Sequence, residues 1–179
     1  MKTEKLVLYA VCVAALAFLV DLITNIIQST GFITPDSSLT FVTFIVWAAY
    51  FLFGASPKGA VSGFLGIFAG VLAAIAIFIL VGIYAGAGMN VGLLAIPLAV
   101  FTLVIFMLLL EKAPYFNNVA AVFLGTGVFF GLMGTPAIAE AGYGMVLVGE
   151  MVYAAIGLIA GWLTIQIRVA IDKPAKEVA

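Results

Sequence analysis

Apolar and polar positions divide the chain into six greasy runs, over residues 6–28, 39–53, 59–84, 91–110, 118–133 and 143–167. Between them lie STGFITPDSS, GASPKG, AGAGMN, EKAPYFNN and GTPAIAEAG, rich in residues that break helices and form turns. A bilayer core of about 30 Å needs about 20 residues of helix. The runs are read as six crossings, of which the second and fifth are short. The predicted fold is an all-α polytopic membrane domain of six transmembrane helices over residues 1–168, with a solvated tail at 169–179. The first run is read as a span and not as a signal peptide, because apolar residues continue past Ala15-Leu16-Ala17 without a polar break.

Composition agrees with this pattern. Of the 179 residues 66% are hydrophobic and 8% charged, against about 25% charged in a soluble domain; the mean hydropathy is +1.34. The lipid bilayer is thus the first partner. The seven cations are Lys2, Lys5, Lys58, Lys112, Arg168, Lys173 and Lys176, and alternating crossings place them all on one side. The positive-inside rule makes that side cytoplasmic, with both termini inside. The opposite loops keep Asp36 and Glu140 and no cation. Cys12 stands alone and the chain has no histidine, so no disulfide, metal centre, cofactor or enzymatic chemistry is expected. Seven scattered cations make no face for a nucleic acid.

The chain also echoes itself. An offset of 79 lays FLFGASPKGAVSGF over FGLMGTPAIAEAGY, pairing Ser56 with Thr135, Pro57 with Pro136 and Gly63 with Gly142. Three spans in each half, about 1–88 and 89–168, make the second half insert upside down, as an inverted repeat. Glycines recur three or four residues apart: Gly59, Gly63, Gly66 and Gly70 in the third span, Gly127 and Gly131 in the fifth, Gly157 and Gly161 in the sixth. Such stripes let helix backbones pack closely in lipid. Pro97 is expected to kink the fourth span.

Polar groups inside the spans are few, and they are the candidate solute pathway. Asp21, Thr24, Asn25 and Gln28 fall on one helical stripe of the first span. Counting from Lys5 and from Arg168 puts Asp21 about 24 Å and Glu150 about 27 Å from the cytoplasmic side, at similar depth. Two readings stand: a cation-attracting or titrating pair, or two acids near the headgroups, solvated or protonated. Thr43, Trp47 and Tyr50 in the second span and Thr126 in the fifth could face a solute where the short helices leave backbone free.

The tracts VWAAYFLFGASPKGAVSGFLGIFAG, NNVAAVFLGTGVFFGLMG and IGLIAGWLTIQI resemble the YcdZ-like family of short bacterial inner-membrane proteins, a domain of unknown function. The resemblance implies a bacterial inner membrane and supplies no functional residues. The expected function is a channel or facilitator for a small uncharged or weakly cationic solute, through a mostly apolar pore between the inverted repeats, working as a homo-oligomer. A non-transporting scaffold, or a proton- or sodium-coupled transporter using Asp21 and Glu150, are the alternatives.

Overall fold

The computed structural model describes residues 2–34 and 38–172, so Asp36, Lys173 and Lys176 lie outside the described residues. Regular structure among the described residues is entirely helical: α1 Thr3–Ser29, α2 Thr40–Leu52, α3 Pro57–Gly86, α4 Val91–Lys112, α5 Val119–Met133, α6 Pro136–Ala139 and α7 Gly142–Asp172. Four of them, α1, α3, α4 and α7, are long and apolar enough to cross a membrane. The 13 residues of α2 and 15 of α5 reach about 20 and 22 Å, less than a bilayer core. Helix α7 continues to Asp172, four residues past the expected start of the tail.

Local chemistry sets where these helices begin. The Ser56 hydroxyl accepts the Gly59 N–H at 3.1 Å and Pro57 takes the first helical position, where its missing N–H costs nothing. Asn118 caps α5 by accepting from Ala121 N–H, and Asn90 caps α4 by accepting from Leu93 N–H. The first turn of α4, Val91–Ala95, is a wide π turn. Pro97, with no N–H to donate, stands two residues after it.

The helices alternate in direction. Pro57 and Ala60 of α3 share a groove with Leu158 and Trp162 of α7, while Phe64 and Phe68 share one with Leu147, Met151 and Ala155. Rising numbers on one helix meet falling numbers on the other, so the two long helices are antiparallel. Helix α4 runs against α3 in the same sense, with Val91 and Val100 beside Ile77 and Val81. Val20 of α1 packs on Ala160, and Tyr153 bonds to Thr24, so α1 also opposes α7. Lys5, Lys58, Lys112 and Arg168 consequently gather at one end of the molecule.

Each short helix lies on a long helix from the other half of the chain: α5 on α3 and α2 on α7, with α4 and α1 flanking those same long helices. Glycine makes both contacts possible. A Cβ at Gly157 would meet the Thr43 carbonyl oxygen at 2.5 Å and the Trp47 nitrogen at 3.0 Å, and one at Gly161 would run into the Tyr50 ring. On the other pair a Cβ at Gly70 would collide with the Val122 carbonyl, and one at Gly125 with the Ile67 backbone. Gly59 and Gly63 lie under the Phe53 carbonyl and ring, and Gly66 under Ala121. Gly127 and Gly131 are a correction to the expected stripe. They face outward with nothing within 4 Å, because the inner face of α5 is the one that holds Gly125.

Gly157→Ala should therefore destabilise the folded protein by about 1–3 kcal/mol through overpacking. Gly127→Ala should be neutral or stabilise it by about 0.5–1 kcal/mol through helix propensity. Thermal unfolding of the two variants in detergent checks the contrast.

Candidate functional site

The α3–α7 pair provides a ruler for depth. On it Gly66 lies between Phe64 and Phe68, which share a groove with Leu147, Met151 and Ala155, so Glu150 is within about one helical turn of the level of Gly66. Helix α5 begins at that level, since a Cβ at Gly66 would stand 3.1 Å from the Asn118 carbonyl oxygen. Helix α2 begins close to it, with Leu39 against Gly149. Residue numbers rise together along α3 and α5, and along α2 and α7, so each short helix is parallel to its long partner. Both short helices therefore start near the middle of the long pair and run outward in opposite directions.

The approach to α5 is irregular chain. After Lys112 it passes through Tyr115, whose φ of 71° is left-handed, and descends to Asn118. Beside it opens a cavity of about 690 Å³, walled by Phe53, Ser56, Lys58, Gly59 and Ser62 on one side and by residues 114, 115 and 117–119 on the other. The Ser62 hydroxyl faces Asn117 Oδ1 at 3.4 Å across it. The lining therefore offers hydroxyls, amides and one cation at the basic end of the molecule, and no acid. Sequence reasoning did not single out Lys58, Ser62, Asn117 and Asn118 as a site. Its only trace was the polarity of GASPKG and EKAPYFNN, 55 residues apart from Ser62 to Asn117.

The residues expected to face a solute lie elsewhere. Thr43 Oγ1 donates to Tyr153 O at 3.1 Å, Trp47 Nε1 to Thr164 Oγ1 at 2.9 Å, and Thr126 Oγ1 to Gly70 O at 2.9 Å. Each fastens a short helix to its long partner. Tyr50 is buried beside Gly161, its hydroxyl without a hydrogen bond. The polar stripe of α1 divides: Thr24 is buried and takes hydrogen bonds from Thr40 Oγ1 at 3.0 Å and Tyr153 Oη at 3.3 Å, Gln28 is half-buried, and Asp21 and Asn25 are exposed and bond to each other at 3.1 Å.

Asp21 and Glu150 do not share a surface. Glu150 is 0% exposed, and neither carboxyl oxygen has a hydrogen-bond partner. The solvated, headgroup-level reading of Glu150 is thus corrected by its burial. Counting residues along one helix fixes depth but not which face a side chain occupies. The repeat breakers separate too. Ser56 and Pro57 open the 30-residue α3, whereas Thr135 and Pro136 open only the four-residue α6, and α7 starts after Gly142 turns the chain at a φ of 80°.

Thr164→Val should strand the Trp47 indole N–H in the core and cost about 1–3 kcal/mol. The same change in a Trp47→Phe background should cost clearly less. A double-mutant cycle on thermal unfolding reads the difference.

No curated protein and no solved structure matches the chain. The sequence profile of one family does match, over residues 7–168. The chain belongs to the family described as Protein of unknown function (DUF1097).

Proposed function

We propose that this protein is a facilitator for a small uncharged polar solute, neither enzyme nor receptor, built from two inverted three-span halves, 1–88 and 89–168. The observation that carries the reading is the irregular segment that descends beside a cavity to the start of α5, near the middle of the long helices. At membrane depth, non-helical backbone is tolerated only where it is buried in protein or lines a water-filled space. Short helices that begin at mid-depth in two halves are the usual setting of a transport site. Lys58 at the cavity mouth disfavours a cation, and the hydroxyl and amide groups suit a neutral solute that both donates and accepts.

A correspondence between the halves supports the inverted repeat. At the offset of 79, the buried positions 42, 43, 46, 47, 49, 50 and 53 of α2 and its end fall on 121, 122, 125, 126, 128, 129 and 132 of α5, all buried. The long helices correspond at an offset of 87. Gly63, Gly66, Ile67, Gly70, Val71, Ala74 and Ile77 fall on Glu150, Tyr153, Ala154, Gly157, Leu158, Gly161 and Thr164, again all buried. The eight-residue step between the two offsets belongs to the segment that carries α6. In this reading the chain makes six crossings, that of α5 being completed by its irregular approach. The basic end then faces the cytoplasm of a bacterial inner membrane. Beyond the cavity the core of Val46, Ile67, Val71 and Phe129 is closely packed, so the described conformation is closed and must open to conduct.

Stopped-flow shrinkage of proteoliposomes with urea, glycerol, small amides and ammonia should give protein-dependent permeation for at least one solute. Ser62→Trp, which fills the cavity, should lower that rate several-fold without unfolding the protein. A flat response across the panel with folded protein would replace this reading with the scaffold one.

A further inference from the structure

Among the described residues Glu150 is the only acid or base wholly inside the core. An ionised carboxylate moved into such a place without a partner costs several kcal/mol even after relaxation. That is a large share of the about 5–15 kcal/mol by which a fold is stable. The compensation must be a cation, and among the described residues none is in reach. On α7 itself, the Tyr153 hydroxyl is spent on Thr24 O and the Tyr143 ring stacks on Phe78. Arg168 is 18 residues away, about 27 Å along the helix. On α2 the one titratable group is Tyr50, beside Gly161, 11 residues further along α7. Helices α5 and α6 carry none, and Glu140, which follows α6, is exposed. On α1, Asp21 is exposed and bonded to Asn25, while Glu4, Lys5 and Tyr9 lie towards the basic end. On α3, Lys58 is at that end and Tyr84 at the other.

We propose that Glu150 is a binding site for a small monovalent cation, H⁺ or Na⁺, held within about one helical turn of the level at which both short helices begin. The correspondence between halves explains why only one half has it. Glu150 stands where the other half has Gly63, and there the Phe53 ring fills the space a side chain would need. At the offset of 79 the counterpart of Phe53 is Leu132, a smaller side chain. Because α7 is fastened to α2 through Thr43 and Trp47, an occupied Glu150 holds the closed core together, and losing the cation loosens it. That consequence, cation-controlled opening, rests on the transport reading; the site itself does not.

Infrared difference spectra between wild-type protein and Glu150→Gln, in sodium-free buffer across pH and then with NaCl or KCl, test the site. A proton gives a carbonyl stretch of an undissociated acid at neutral pH that is absent from the variant. Sodium gives a carboxylate band that shifts with NaCl and not with KCl. Asp21→Asn should leave either signal intact. If Glu150→Gln does not fold, the spectra are taken on wild-type protein before and after treatment with a hydrophobic carbodiimide, its adduct located by mass spectrometry. A bare carboxylate band that responds to neither cation at neutral pH overturns the proposal. Flux and infrared results are separable, since solute permeation can fail with the cation site intact, and the site can fail with permeation intact.

Discussion

Close approach of helix backbones is the constraint on which this structure depends. In lipid, apolar side chains gain little by leaving the tails for one another, so helices must be held by packing and by hydrogen bonds across the interface. Here two contacts do most of this, α5 on α3 and α2 on α7. Each places a carbonyl of the short helix against a glycine of the long one, Val122 against Gly70 and Thr43 against Gly157. The proximity then lets Thr126 bond to Gly70 O and Thr43 to Tyr153 O. Without the glycines those hydroxyls could not reach.

The arrangement also explains how short helices are tolerated at all. Neither α2 nor α5 is long enough to cross a bilayer alone, and the irregular chain before α5 has backbone polar groups outside any helix. On one side the cavity beside residues 114–119 makes room for water to satisfy them. On the other, Ile33 and Leu39 press against Gly149, and Ile138 of α6 is buried. The two short helices thus share a packing scheme, each lying along a long helix.

Much of the fold was legible in the sequence because bilayer thickness acts on one dimension. Among the described residues hydropathy gave every helix of more than four residues, and the Ser-Pro and Asn-Asn steps mark the starts of α3 and α5 through local capping. Positions 79 apart in α2 and α5 are buried alike, since a short helix bound on one face leaves its pattern in consecutive residues. Positions 87 apart in α3 and α7 are also buried alike, and the sequence carries little trace of it because those faces are mostly small and apolar residues of low identity. Gly127 and Gly131 misled for a related reason: their spacing is helical, and spacing alone does not say which face meets protein and which meets lipid.

The sequence by itself determined that this is a helical membrane protein with its cations at one end, since apolar run length and charge position follow from the chain order. Only the tertiary structure decided which polar groups are spent and which are left over. Thr43, Trp47 and Thr126 turn out to be fastenings, Asp21 an exposed group, and Glu150 a carboxyl with no partner. The physical reason is that a hydrogen bond between residues more than 100 apart, such as Trp47 to Thr164, depends on how whole helices rotate against each other. That rotation is set by the sum of many glycine and side-chain contacts, none of which is visible in the residues that form the bond.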